Sequence, residues 1–256
     1  MNWWILLIVI GFAAVHLFKM ARLYLVLMEH KISFVRFVLL YIRTTFINLI
    51  IPFKLGEIYR AEEIARETKV WQVGVLSVLV DRYFDMTALL LLLVPFDIFF
   101  RRGLSPITLV LLLLIVVVAL LYMAIPSSYA YLNRYLIIKR SSPRSMAALK
   151  GLDVIKNWYD FTKNLITGRS PLIVIASLMG WAGEVLTLKA LASYKGLSFV
   201  LGDFASYIEA IFMNGNSPVL VMYTGATAFA FLGLTVLGYT LYFAAKAGKK
   251  ARRNNA

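Results

Sequence analysis

The sequence predicts an all-α, polytopic helical membrane protein with about six spanning helices plus a re-entrant or broken helix. Of its 256 residues, 61% are hydrophobic and 16% charged, and mean hydropathy is +0.78. That balance lies outside the range of soluble domains. Residues 1–18, 103–133 and 210–245 carry no charged side chain, and a spanning helix needs about 20 apolar residues. Basic residues also cluster between the apolar runs, as membrane topology demands.

The first span covers about 3–25, with Lys19 and Arg22 near its end on stems long enough to reach an interface. No basic stretch precedes it and no small-residue cleavage site follows, so it reads as a retained helix. The second, 34–51, stops at Pro52, and a short charged helix begins after Gly56. Spans over 70–95 and 106–125 come next. The connection 126–170 is too short for a catalytic domain. Leu152, Ile155, Trp158 or Tyr159, and Leu165 recur in it at helical spacing, with Asp153, Lys156, Asp160 and Lys163 mostly off that face. This is the pattern of an amphipathic helix in the interface or of a cap on the bundle. The chain thus reads as a single transmembrane domain, 1–256, with 126–170 as a cytoplasmic connection. Spans at 171–193 and 218–243 complete it. The piece 203–218, which includes "ASYIEAIFMNGNSP", is too short to cross and reads as re-entrant or broken.

Lys54, Arg60, Arg66 and Lys69 follow the second span, eight basic residues lie in 126–170, and five in the tail "KAGKKARRNN". The positive-inside rule then places both termini in the cytoplasm of a cell (inner or plasma) membrane protein. The net charge of +14 sits in these segments, where it meets anionic lipid and not nucleic acid. There is no cysteine and there are two histidines, so thiol chemistry is excluded and no metal site or cofactor is indicated.

The chemistry-bearing stretch is "NLIIPFKLGEIYRAEEIARE", residues 48–67. A proline removes an amide donor and clashes with the carbonyl four residues back, here that of Asn48. Glu57 sits in the first turn of the following helix, where an acid suits the dipole. Glu57 with Arg60, and Glu62 with Arg66, have the spacing of pairs on one helix face. The next span then places Asp81, Arg82 and Asp85 inside an apolar helix. Each such charge costs about 3 kcal/mol to insert and faces an interior or a wet cavity. Asp81 and Asp85 share a face and need cations between them; Arg43, Arg60, Arg66 and Arg82 are at hand. A buried ion network pinning helices together is the alternative use of these groups.

These residues carry a resemblance. "NLIIPFKLGEIYRAEEIAR" followed by "VLVDRYFD" resembles the lysylphosphatidylglycerol synthase transmembrane region family. Asn48, Pro52, Gly56, Glu57, Arg60, Arg82 and Asp85 match its pattern, and Arg22 matches its arginine after the first span. The resemblance is strong over about 1–95; beyond, the pattern of spans agrees and Trp181 matches a tryptophan common in the family. A late Pro-Gly-Gly-x-Gly-x-x-Glu stretch of many members is replaced by "NGNSPVLVMYTGATA", so any role of that late Glu does not transfer. The resemblance implies lipid work: a flippase-type domain moving aminoacylated phosphatidylglycerol, without the synthase domain. Some relatives accompany glycosyltransferases acting on polyprenyl-linked sugars.

A second group completes the candidate site. Transporters bind substrate where two helices break near midplane, and the breaks here are Pro52–Gly56 and Asn214–Pro218. Glu184, Lys189 and Glu209 are polar groups near them. The expected site holds a phosphate-bearing lipid on Arg60, Arg66 and Arg82, oriented by Glu57, Asp81, Asp85 and Glu184. Asn48 and Asn216 add neutral hydrogen bonds, and Pro52, Gly56 and Pro218 shape the backbone. The ligand expected is a membrane phospholipid or a polyprenyl-phosphate lipid. The rivals are a membrane-embedded transferase and a non-catalytic partner of a separate glycosyltransferase or lipid synthase. No nucleotide loop and no nucleophile–base set supports an enzyme.

Overall fold

The structure is a computed structural model that describes residues 3–51, 55–139, 143–197, 199, 204, 207, 208 and 218–254. Among these there are eight α-helices and no strand: α1 (Trp3–Leu27), α2 (Phe34–Ile50), α3 (Leu55–Thr68), α4 (Trp71–Phe96), α5 (Pro106–Lys139), α6 (Pro143–Ile166), α7 (Ser170–Tyr194) and α8 (Pro218–Asn254). A π-helical turn, Asp97–Arg101, closes α4. The all-α membrane architecture expected from composition is therefore present. Five helices are long and apolar enough to cross a bilayer: α1, α4 with its π turn, α5, α7 and α8.

The segment 34–51 departs from the sequence expectation, which made it a span. It is one arm of a hairpin whose other arm is α3. Contacts run in opposite order along the two helices: Arg36 with Glu67 at 3.8 Å, Arg43 with Glu63, Thr45 with Arg60 at 3.4 Å, Asn48 with Glu57 at 2.9 Å. α3 therefore runs back along α2 to the end of the bundle where α2 began. Glycine makes the approach possible. A Cβ on Gly56 would lie 2.4 Å from the Cα of Asn48, and one on Gly74 would lie 2.1 Å from the carbonyl oxygen of Ala61 where α4 crosses α3.

α1 and α7 form the other close pair. Gly11 meets Thr187, Gly183 meets Val15, and Arg169 donates to the Leu25 carbonyl at 3.0 Å, so the two helices are antiparallel. Small residues let backbones approach, and this packing holds helices together where lipid removes the hydrophobic drive. Apolar clusters lie on either side of the polar centre. Leu89, Leu93, Leu188 and Phe204 form one; Leu23, Phe37, Ile64 and Phe231 form the other.

α8 runs beside α2, with Phe231 against Tyr41 and Gly238 against Leu39. It therefore finishes at the end of the bundle where α1 also finishes. The described ends of the chain, Trp3 and Asn254, therefore sit at opposite ends of the bundle. The connection 126–170 is helical over its described part except for a turn at 167–169. α5 has 34 residues, or about 51 Å of helix, well beyond the roughly 30 Å of a hydrocarbon core. α6 folds back on it, with Tyr122 and Tyr159 rings 4.7 Å apart and the Tyr129 hydroxyl donating to Asp153 at 2.9 Å.

Candidate functional site

The charged residues of α3 and α4 converge with α1 and α7 between the two apolar clusters. Arg22, one turn before α1 ends, is buried at 4% exposure. Its guanidinium grips Asp81 through two bonds, Nε to Oδ1 at 2.6 Å and Nη2 to Oδ2 at 3.1 Å. The same group donates to Asp85 and, at 3.4 Å, to the Ser177 hydroxyl. The planar fork of arginine suits this double engagement, where a lysine would offer one point charge. Asp85 also accepts from the Trp181 indole at 3.1 Å and from Arg82 at 3.4 Å.

Arg82 bridges outward. It pairs with Glu57, which also accepts from the Asn48 amide at 2.9 Å. Arg60 lies 3.6 Å from Glu57 and 4.0 Å from Asp81. Lys19 extends the cluster on the α7 side, 2.5 Å from Glu184 and 5.5 Å above the Trp181 ring. Both Lys19 and Arg22 point inward, contrary to the expectation that their stems reach the interface.

Two adjoining cavities open within this group. One of about 150 Å³ is lined by Arg22, Tyr41, Thr45, Arg60 and Asp81. The other, about 520 Å³, is lined by Glu57, Trp181, Glu184, Tyr207 and Tyr223. His16, Lys19, Asn48, Arg82 and Asp85 line both. The rim of the larger cavity includes Leu49, Leu79 and Thr224, all exposed. The cavity therefore opens at the outer surface of the bundle beside these residues. Several buried polar atoms on the walls have no hydrogen-bond partner among the described residues: Asn48 Oδ1, His16 Nε2, Arg60 Nε and Arg82 Nε. Leaving such a group unmatched costs about 1–3 kcal/mol, so the walls hold hydrogen-bonding capacity that a polar ligand can take up.

The structure thus brings together Asn48, Glu57, Arg60, Asp81, Arg82, Asp85 and Glu184. Gly56 lies at their α2–α3 junction. Arg66 is not among them: its side chain is 66% exposed and pairs with Glu62 at 2.6 Å and Glu63 at 3.4 Å. Arg43 likewise pairs with Glu63 outside the cavity. Pro218 is the first residue of α8, where its missing amide costs nothing. Pro52, Glu209, Asn214 and Asn216 lie outside the described residues, as does most of 203–218. The contributors that sequence reasoning did not place in the site are Arg22, Lys19, His16, Trp181, Tyr41, Tyr207 and Tyr223. For Arg22 a signal existed, a guanidinium inside an apolar run. Its partners are 59 and 63 residues away, and no local spacing reports that. Among the described residues no three His, Asp or Glu side chains cluster as metal ligands.

The family model for the lysylphosphatidylglycerol synthase TM region matches residues 1–247. No curated protein and no solved structure matches the chain.

Proposed function

Because the chain belongs to the lysylphosphatidylglycerol synthase TM region family, a group of lipid-related membrane domains, we infer that it binds a phosphate-bearing lipid and moves the headgroup across the bilayer. The observation that carries the reading is the charged cavity itself. Four cations, Lys19, Arg22, Arg60 and Arg82, and four carboxylates, Glu57, Asp81, Asp85 and Glu184, line two adjoining cavities, the larger beside the exposed Leu49, Leu79 and Thr224. Such groups are expensive inside a membrane and concentrate on substrate pathways. Arg60 and Arg82 are the arginines of the cluster that do not clamp both aspartates, so they are the natural holders of a phosphate. Asn48 adds a neutral acceptor and donor at the hairpin tip.

The basic residues add an orientation. The end of the bundle that carries Lys69, the α5–α6 connection and the α8 tail holds most of the positive charge. The positive-inside rule makes that end cytoplasmic, which puts the start of α1 on the far side of a cell membrane.

Purified protein in vesicles tests the reading, with a headgroup-labelled phospholipid and no donor substrate or second protein present. Wild type is expected to move the label. Arg60→Gln and Arg82→Gln, each removing a charge-assisted bond of about 1.5–3 kcal/mol, are expected to slow it about tenfold or more while eluting as folded monodisperse protein. Undiminished movement in both variants overturns the assignment of these arginines. A new lipid product would point instead to a transferase, and movement only after a glycosyltransferase is added would point to a partner protein.

A further inference from the structure

A second concavity lies on the other face of α4 and is apolar. Leu76, Val80 and Phe84 of α4 face Ala119 and Met123 of α5 across about 410 Å³. The space continues past Leu76, Tyr122 and Thr162 into a further 420 Å³ or so bounded by Val154, Ile155 and Trp158 of α6. The Thr162 hydroxyl on this wall is already engaged, donating to the Trp158 carbonyl at 2.8 Å. The Tyr122 ring packs against Tyr159. What the groove offers an occupant is dispersion contact with hydrocarbon.

Its position gives it meaning. Leu79 lines both this groove and the charged cavity, and it is 57% exposed. Arg82 follows three residues later, about 4.5 Å along the axis, and it lines the charged cavity. A path therefore leads from a guanidinium, over one leucine, into an apolar trough between three helices.

We propose that the α4–α5–α6 groove holds a hydrocarbon chain of the same lipid whose phosphate sits at Arg82, so that the lipid straddles α4 at Leu79. The proposal rests on the lipid reading above and adds where the chain goes. It makes the groove a second determinant of substrate choice, sensing chain length and branching while the charged cavity senses the headgroup. It also keeps the chain seated beside the protein while the headgroup changes its depth.

The test uses the full chain in phosphatidylglycerol nanodiscs. One probe is phosphatidylglycerol with a diazirine near the end of an acyl chain; the other carries the diazirine on its headgroup. After irradiation, labelled peptides are mapped by mass spectrometry. The acyl probe is expected to label residues 76–84, 118–123 and 154–166 above the rest of the lipid-facing surface. Ala119→Trp, which fills the groove, is expected to cut that labelling about fivefold or more, as overpacking a filled site does, and to leave headgroup labelling in place. Leu120→Trp, one residue away and 61% exposed, should change neither and controls for the added indole. Acyl labelling spread evenly over α1, α5 and α8, or unchanged in Ala119→Trp, overturns the groove proposal alone, provided the headgroup probe still labels the cavity around Asn48, Arg82 and Glu184. If the headgroup probe does not label that cavity, the lipid reading falls and the groove proposal falls with it.

Discussion

At Arg22 one guanidinium meets two carboxylates from α4 and a hydroxyl from α7. Removing it leaves Asp81 and Asp85 buried four residues apart with their main cation gone. Breaking a buried pair from one side costs about 3–5 kcal/mol. Arg22→Gln is therefore expected to lower the thermal unfolding midpoint in detergent well below that of Arg66→Gln, whose exposed pairs are worth about 1 kcal/mol or less. Equal midpoints for the two variants would contradict the assignment. Much of this residue-scale picture was legible. Asp81 and Asp85 on one helical stripe demanded cations, and the Glu57–Arg60 spacing survives in the structure at 3.6 Å. Arg66 misled because the same helical spacing that pairs it with Glu62 says nothing about which way the pair faces. Lys19 and Arg22 misled for the complementary reason: a long cationic side chain near the end of an apolar run can reach outward or inward, and only its partners decide.

At the scale of elements, the hairpin of α2 and α3 is the main departure from sequence expectation. An apolar run over 34–51 has nearly the length of a span, and Pro52 with Gly56 marks a break without saying where the chain goes next. The direction is set by contacts from Arg36–Glu67 to Asn48–Glu57, which are tertiary. The turn joining α1 to α2 offers a pH handle outside the spanning helices. His30 stacks on Phe161 of α6 with ring centres 5.8 Å apart, and Glu29 beside it pairs with Arg169. Burial lowers the His30 pKa below its ordinary value of about 6.5, with the Glu29 carboxylate opposing and the Arg169 charge adding to the effect. The folded state then binds fewer protons than the unfolded chain. Its stability is full above that ordinary value and declines as pH falls below it. Between about pH 8 and about pH 5, wild type should lose more thermal stability than His30→Gln. Identical losses would show that His30 is not the titrating group.

For the whole molecule, the helical membrane class and the polar centre were both readable from composition and charge placement. The relative position of the chain ends was not, because it depends on whether 34–51 crosses. With that segment turned back, α1 and α8 finish at the same end. A chain without cysteine makes this easy to check. A single cysteine at Gly103, beyond the π turn, should react with a membrane-impermeant maleimide on intact cells. One at Lys150, on α6, should react only after permeabilisation. The reverse pattern would invert the orientation, and labelling of both from one side would break the topology itself.

Among the described residues the tally of charge around the cavities is even, four positive groups against four negative, and this has an electrical consequence. An unloaded site with surplus charge would draw counter-ions and water into the bilayer and leak current. Here each resting carboxylate already has a cationic neighbour, so the site needs no counter-ion from outside. On the proposed function, entry of a phosphate is then an exchange of partners, in which an arginine trades a carboxylate for the newcomer and the released acid seeks a cation elsewhere.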